Sequence, residues 1–203
     1  MKPAALLALS LTVLAAAPRA AGAADPRHPD WPCVQAKVPE ISVAAVWDGP
    51  AIEGAAWQDD PAVASLVQRL AARRVPIEEA NKSVAEFMVT AGAAKAAKAV
   101  QLFAGVFDTL NRERTEIMDG LERMERREKD LAASIKADFA AMRALQDDAH
   151  PDEARVGELN ARIEWSTRIF DDRRKSVRYA CEVPALIERR LGALARAIRQ
   201  EMD

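Results

Sequence analysis

The chain has 203 residues, with 29 Lys and Arg against 31 Asp and Glu, 30% charged residues, 5% aromatic residues and a formal net charge of -2. A balanced charge without a clustered positive footprint argues against nucleic-acid binding. Abundant Ala, Glu, Arg, Leu and Lys with so few aromatics favour long helices with much solvated surface over a compact β-rich globule.

Residues 1–23 read as a cleaved secretory signal peptide: Lys2, an apolar run from Ala4 to Ala17, then Ala21-Gly22-Ala23 as a small-residue cleavage pattern. The run is about 14 residues, short of the roughly 20 that a spanning helix requires. The expected mature protein is exported, soluble and, in a bacterium, periplasmic. Removing Lys2 and Arg19 and no acid leaves 27 basic against 31 acidic groups. A lipid anchor is disfavoured, because Cys33 follows Asp30-Trp31-Pro32 instead of the cleavage site itself.

Residues 24–59 hold Pro26, Pro29, Pro32, Pro39 and Pro50 together with Trp31, Trp47 and Trp57. Prolines at that density forbid continuous helix, so this segment reads as a strap pinned to a helical surface by its tryptophans. Ile41–Trp47 suits a brief strand but has few pairing partners. An exposed aromatic platform for a ligand is the alternative use of the tryptophans.

Asp60-Pro61 signals a helix start, with Val63, Leu66, Val67 and Leu70 on one face. Pro76 opens a second amphipathic helix, with Ile77, Ala80, Val84 and Phe87 as its stripe and Gly92 as its stop. From about Ala93 to Leu145 the chain runs without proline. Phe103, Phe107, Leu110, Ile117, Leu121, Met124, Leu131, Ile135, Met142 and Leu145 recur along it at helical spacing. This predicts a helix of about 50 residues, roughly 75 to 80 Å long, bending at Gly105 and Gly120. The turn-forming stretch 146–152 then interrupts the pattern, and Val156, Ile163, Phe170 and Val177 resume it at intervals of seven. Two heptad segments joined so closely fold back as an antiparallel hairpin. Pro184 restarts the chain as a last helix carrying Ile187, Leu191, Leu194, Ile198 and Met202.

The predicted fold is therefore all-α. A helical base, 60–112 plus 184–203, carries a coiled-coil hairpin, 113–183, about 45 Å long with its tip near 146–152. Arg114 and Glu128 interrupt one seam, and Ser166 and Arg173 the other. A Glu128–Arg173 pair is conceivable, but solvated, snorkelling side chains are the expectation.

Two cysteines in an exported chain point first to a disulfide, Cys33 with Cys181, fastening the strap where coil meets base. Regulatory or intermolecular pairing and a metal or reactive role are the alternatives; neither cysteine has a Cys-x-x-Cys or histidine companion. His28 and His150 cannot assemble a conventional zinc site. The tip gathers Asp147, Asp148, His150, Asp152 and Glu153 without the register of a calcium loop, so it reads as a solvated turn. The glutamates of the long helix lack an enclosing pocket, and neither a Gly-x-Ser-x-Gly elbow nor a phosphate loop is present. No catalytic residue, metal or cofactor is assigned.

The expected function is that of a non-catalytic scaffold, adaptor or chaperone-like protein acting on another protein. The residues expected at that contact are His150, Asp148 and Asp152 at the tip, or Arg189, Arg190 and Arg196 on the last helix. Contact of the basic residues with a membrane surface is a weaker expectation. The alternative is a small-ligand-binding or accessory subunit with a cleft between strap and base.

Overall fold

A computed structural model describes residues 25–202. The fold is all-α, with no strand among the described residues. The described residues form five α-helices: α1 (Pro61–Ala71), α2 (Ile77–Ala91), α3 (Lys95–Gln146), α4 (Glu153–Ala180) and α5 (Val183–Gln200). None of these helices is long and apolar enough to cross a membrane. The signal peptide expected at 1–23 lies outside the described residues.

The helix starts and stops follow local chemistry. At α1 the Asp60 carboxylate accepts from the amides of Ala62 at 3.0 Å and Val63 at 3.2 Å, and Pro61 occupies the first turn, where no amide donor is required. Lys98 of α3 pairs with the same carboxylate. The Lys98 ammonium, and then the Val63 amide, hold Asp60 below the ordinary carboxylate range. Its stabilising contribution is therefore complete above the ordinary carboxylate pKa and is lost as pH falls through the depressed one. Gly92, at φ 52°, closes α2 in a conformation that L side chains rarely adopt.

The base core forms where α3 and α5 lie side by side, with α1 against α3 and α2 against α5. Val63, Val67 and Leu70 of α1 meet Leu102, Phe103, Val106 and Leu110 of α3. Val84 and Met88 of α2 join Ile187, Leu191, Leu194 and Ile198 of α5 in the same cluster, and every one of these side chains is buried. Met88, rather than Phe87, completes the buried stripe of α2, while half-buried Phe87 packs at the edge of the core.

The strap contributes to this core. Trp47 stacks on Phe103 with ring centroids 4.1 Å apart and planes 8° from parallel, and its indole N–H donates to the Pro50 carbonyl at 2.8 Å. Trp57 is also buried and donates to Asp108 Oδ2 at 3.0 Å. The brief strand considered at Ile41–Trp47 is replaced by a single 3-10 turn, Val43–Ala45, which closes its own hydrogen bonds locally.

α3 runs unbroken through both of its interior glycines. Gly105 is explained by packing: a Cβ there would lie 2.5 Å from Val67 Cγ2 and 2.8 Å from Trp57 Cδ2. Gly105→Ala gains about 1 kcal/mol in helix propensity but loses about 2 to 3 kcal/mol through overpacking. A net destabilisation of about 1 to 2 kcal/mol is expected, read as a lower urea midpoint at unchanged slope.

Beyond the base, α3 continues as one arm and α4 returns as the other. Arg162 binds Asp138 through two hydrogen bonds, 2.9 and 2.6 Å, and Arg173 reaches Glu128 at 3.3 Å. Met142, Leu159 and Ile163 form a small core near the turn, with Leu145 and Val156 at its edge. Leu131, Ile135 and Phe170, further down the seam, are only half-buried.

Two seam readings are corrected here. Glu128 is 4% exposed, not solvated, because α4 covers it and Arg173 lies over it. Arg114 is 2% exposed at the foot of the α3 arm, where strap and α5 enclose it. Glu128 Oε2 is buried without a hydrogen-bond partner. Arg173→Ala, which strands that carboxylate, is expected to cost about 2 to 3 kcal/mol, whereas Glu128→Leu is expected to be neutral or to stabilise by about 1 kcal/mol. Chemical denaturation of the two variants checks this opposition of sign.

Candidate functional site

The candidate site is the hairpin together with the hinge that aims it. Cys33 and Cys181 are disulfide-bonded across 148 positions of sequence, joining the strap to the short link between α4 and α5. The prolines around Cys33 keep this part of the strap out of regular structure, and half-buried Trp31 donates its indole N–H to the Gln35 carbonyl at 2.6 Å, closing a turn around the cysteine.

Three further contacts fasten the strap along α3. Arg114 donates to the Val38 carbonyl at 2.6 Å and the Pro39 carbonyl at 3.3 Å while its Nε pairs with Glu188 of α5 at 2.6 Å. Lys37 binds Glu122 at 2.5 Å, with both side chains largely buried. Asp30 receives Lys129 at 2.8 Å and Arg126 at 3.2 Å, and Lys129 also donates to the Pro29 carbonyl at 2.7 Å. Those two cations, Lys129 foremost, hold the Asp30 carboxyl below its ordinary range. From Arg114 to Lys129 the strap thus braces about 22 Å of α3, at 1.5 Å per residue. Its hydrogen bonds to α3 reach no further than Lys129 among the described residues.

The tip residues face solvent. The backbone N–H of His150 donates to Asp148 Oδ1 at 3.1 Å, and Asp152 caps α4 by accepting from the Arg155 amide at 3.2 Å. Asp148, His150 and Asp152 are all exposed. Both carboxylates thereby shape the turn, and the His150, Asp147 and Glu153 side chains are exposed around it. No group of three His, Cys, Asp or Glu residues placed to hold a metal occurs among the described residues.

Of the three arginines expected on the last helix, Arg189 and Arg196 are exposed and Arg190 is diverted. Its Nε donates to the Leu70 carbonyl at 2.7 Å and its Nη1 to the Val75 carbonyl at 2.8 Å. It caps the end of α1 and the following turn instead of facing outward, and burial lowers its pKa. The carbonyls that attract it exist only once α1 and α5 have met.

The distal hairpin carries two large apolar side chains in solvent, Trp165 of α4 at 63% and Phe139 of α3 at 45% exposure. Next to the turn, a groove of about 360 Å³ lies between the arms, lined by Ala141, Ala144 and Leu145 of α3 and by Arg155, Glu158 and Arg162 of α4 among others. Trp165 lies three residues beyond Arg162, so the two occupy neighbouring positions on one helix face. The signal for Trp165 was available: it stands two residues past the seam position Ile163, which turns it out of the seam. By contrast Trp47 and Trp57, candidates for a ligand platform, are 7% and 6% exposed and have almost no free ring surface.

These features define a class of architecture: an all-α protein in which a disulfide-fastened strap braces a projecting helical hairpin. No protein-family model, curated protein or solved structure matches the chain.

Proposed function

We propose that this is an exported, non-catalytic scaffold or adaptor that binds another protein through the distal half of its hairpin. The observation that carries the reading is the exposure of Trp165 and Phe139 on arms that the strap no longer covers. Isolated exposed apolar residues are ordinary on a surface, but Trp is costly to leave in water and is enriched at the centres of interfaces. The disulfide and the leader-like first 23 residues support export, with the periplasm as the compartment in a bacterium. The braced hinge gives the hairpin a defined direction, and a preorganised binding surface loses less entropy when a partner docks.

The experiment is co-purification from the exported fraction with Trp165→Ser and Phe139→Ser combined. Both side chains are solvent-facing, so the unfolding midpoint is expected to stay within about 0.5 kcal/mol of the parent. Loss of a co-purifying partner at unchanged stability supports the reading. Retention of that partner by the double variant contradicts it.

A further inference from the structure

On the base, away from the hairpin, a shallow open depression of about 580 Å³ lies where the end of α1 meets α3, lined by Gln68, Arg73, Arg74, Thr109 and Glu113 among others. The segment 61–76 contains three arginines, Arg69, Arg73 and Arg74, and no acid. The acid lining the depression is Glu113, which pairs with Arg73 at 3.0 Å. Arg190 approaches from α5 closely enough to feel the charge of Glu113. The lining thus holds two guanidinium groups, Arg73 and Arg74, and one carboxylate, which is paired with Arg73.

A helix C-terminus ordinarily repels anions through its free carbonyls. Here several carbonyls at the end of α1 and in the following turn are occupied. Gln68 accepts from the Ala72 amide, Ala72 from the Val75 amide, and Leu70 and Val75 accept from Arg190. Within the lining, Thr109 Oγ1 is buried without a hydrogen-bond partner, and so is Arg190 Nη2 outside the lining residues. Arg74 is exposed beside them. Buried polar groups are normally paired, so an unpaired hydroxyl in a lining with two arginines and one carboxylate calls for a partner.

We propose that this depression binds a phosphate group, held by Arg73 and Arg74 with the Thr109 hydroxyl as a directional donor. Paired guanidinium groups match the geometry and charge of phosphate oxygens. A soluble phosphate compound and a phospholipid headgroup present the same chemistry, and the test separates these sources.

Inorganic phosphate is titrated at low ionic strength into ¹⁵N-labelled protein while the arginine Nε–H and Thr109 amide signals are followed. Saturable shifts at Arg73, Arg74 and Thr109 are expected. Binding is expected to be about tenfold weaker in Arg74→Ala and in the near-isosteric Thr109→Val, which each remove one charge-assisted contact, and unchanged in Lys82→Ala. Flotation with phosphatidylglycerol vesicles but not phosphatidylcholine vesicles, reduced by the same two variants, assigns the source to headgroups. Phosphate binding without flotation assigns it to a soluble compound. The inference is overturned by non-saturable shifts, by equal shifts with chloride, or by Thr109→Val and Arg74→Ala binding as tightly as the parent.

Discussion

Replacement of Cys33 and Cys181 together by serine is expected to lower the stability of the protein by about 3 to 5 kcal/mol, the largest loss foreseen for any change outside the hydrophobic core. The bond spans 148 positions. In the chain-entropy description, closing a loop of that length restricts the unfolded chain by about 5 kcal/mol, and residual structure in the unfolded state reduces the figure. For a chain of this size the loss corresponds to a fall in melting temperature of about 10 °C. The folded state is expected to survive, because Trp47 against Phe103, Trp57 against Asp108 and Lys37 against Glu122 all dock the strap independently of the bond. Two signatures follow: a urea slope that rises, since the unfolded chain expands further, and a near-ultraviolet tryptophan spectrum that stays native-like. Faster amide exchange confined to 25–40, where Val34 and Val38 are exposed and contribute little burial, is the local consequence. An unchanged midpoint would show that the bond does not hold the strap.

The second large effect belongs to Arg114. Its guanidinium, on α3, ties the strap to α5 through Val38, Pro39 and Glu188. Arg114→Ala leaves two strap carbonyls without their donor and empties space among buried side chains. Because Glu188 is 43% exposed and can recover its hydration, the loss is expected at the low end for a buried ion pair, about 3 kcal/mol. Arg114→Met keeps most of the stem volume and is expected to cost about half as much, since the packing survives and only the polar contacts go. Arg112→Ala, on the exposed side of the same turn, is the control and is expected to shift stability by less than about 0.5 kcal/mol. Equal effects at 112 and 114 would contradict the description of the hinge.

The contrast between these residues shows where sequence reasoning reaches and where it stops. Helix limits were legible because their causes are local: an Asp-Pro cap at 60–61, a glycine forced to positive φ at 92, a turn-rich break after Gln146. The hairpin was legible because a seven-residue repeat on both sides of a short link has one economical packing. The disulfide followed from the two cysteines of a chain with a leader-like start, and closing the hairpin placed Cys181 at its foot.

Arg114 was not legible in the same way. A polar residue in an apolar seam reads as solvated or as a register device, and its actual partners are carbonyls about 75 positions earlier in a segment without periodicity. Arg190 escaped for the same reason, since its acceptors are backbone carbonyls of Leu70 and Val75. Such acceptors have no residue-type signature, so composition and spacing cannot announce them. Glu128 was recognised as a possible partner of Arg173, but its degree of burial depends on how closely α4 lies over α3. Trp165 is the reverse case. Its position outside the heptad seam was available from spacing alone, and the proposed contact rests on it, whereas the sequence reading points to His150, Asp148 and Asp152 at the tip or Arg189, Arg190 and Arg196 on the last helix.

The separation of roles along the chain has a physical logic. Strap contacts gather over the first half of the α3 arm, where Arg114, Glu122 and Lys129 receive them. The distal half relies on a small core of Met142, Leu159 and Ile163 plus the cross-arm Arg162–Asp138 ion pair. A stiff proximal arm and a lightly cored distal arm suit a surface that is presented by one part of the molecule and completed by a partner at another.

Photo-crosslinking in intact cells asks this most directly, with the probe placed in turn at positions 165, 150 and 196 of the exported protein. The account predicts a discrete adduct from position 165, an adduct to the same protein from 150, and none from 196 on the base. Capture from 196 alone, or from none of the three, would contradict the proposal that the distal hairpin is the working surface.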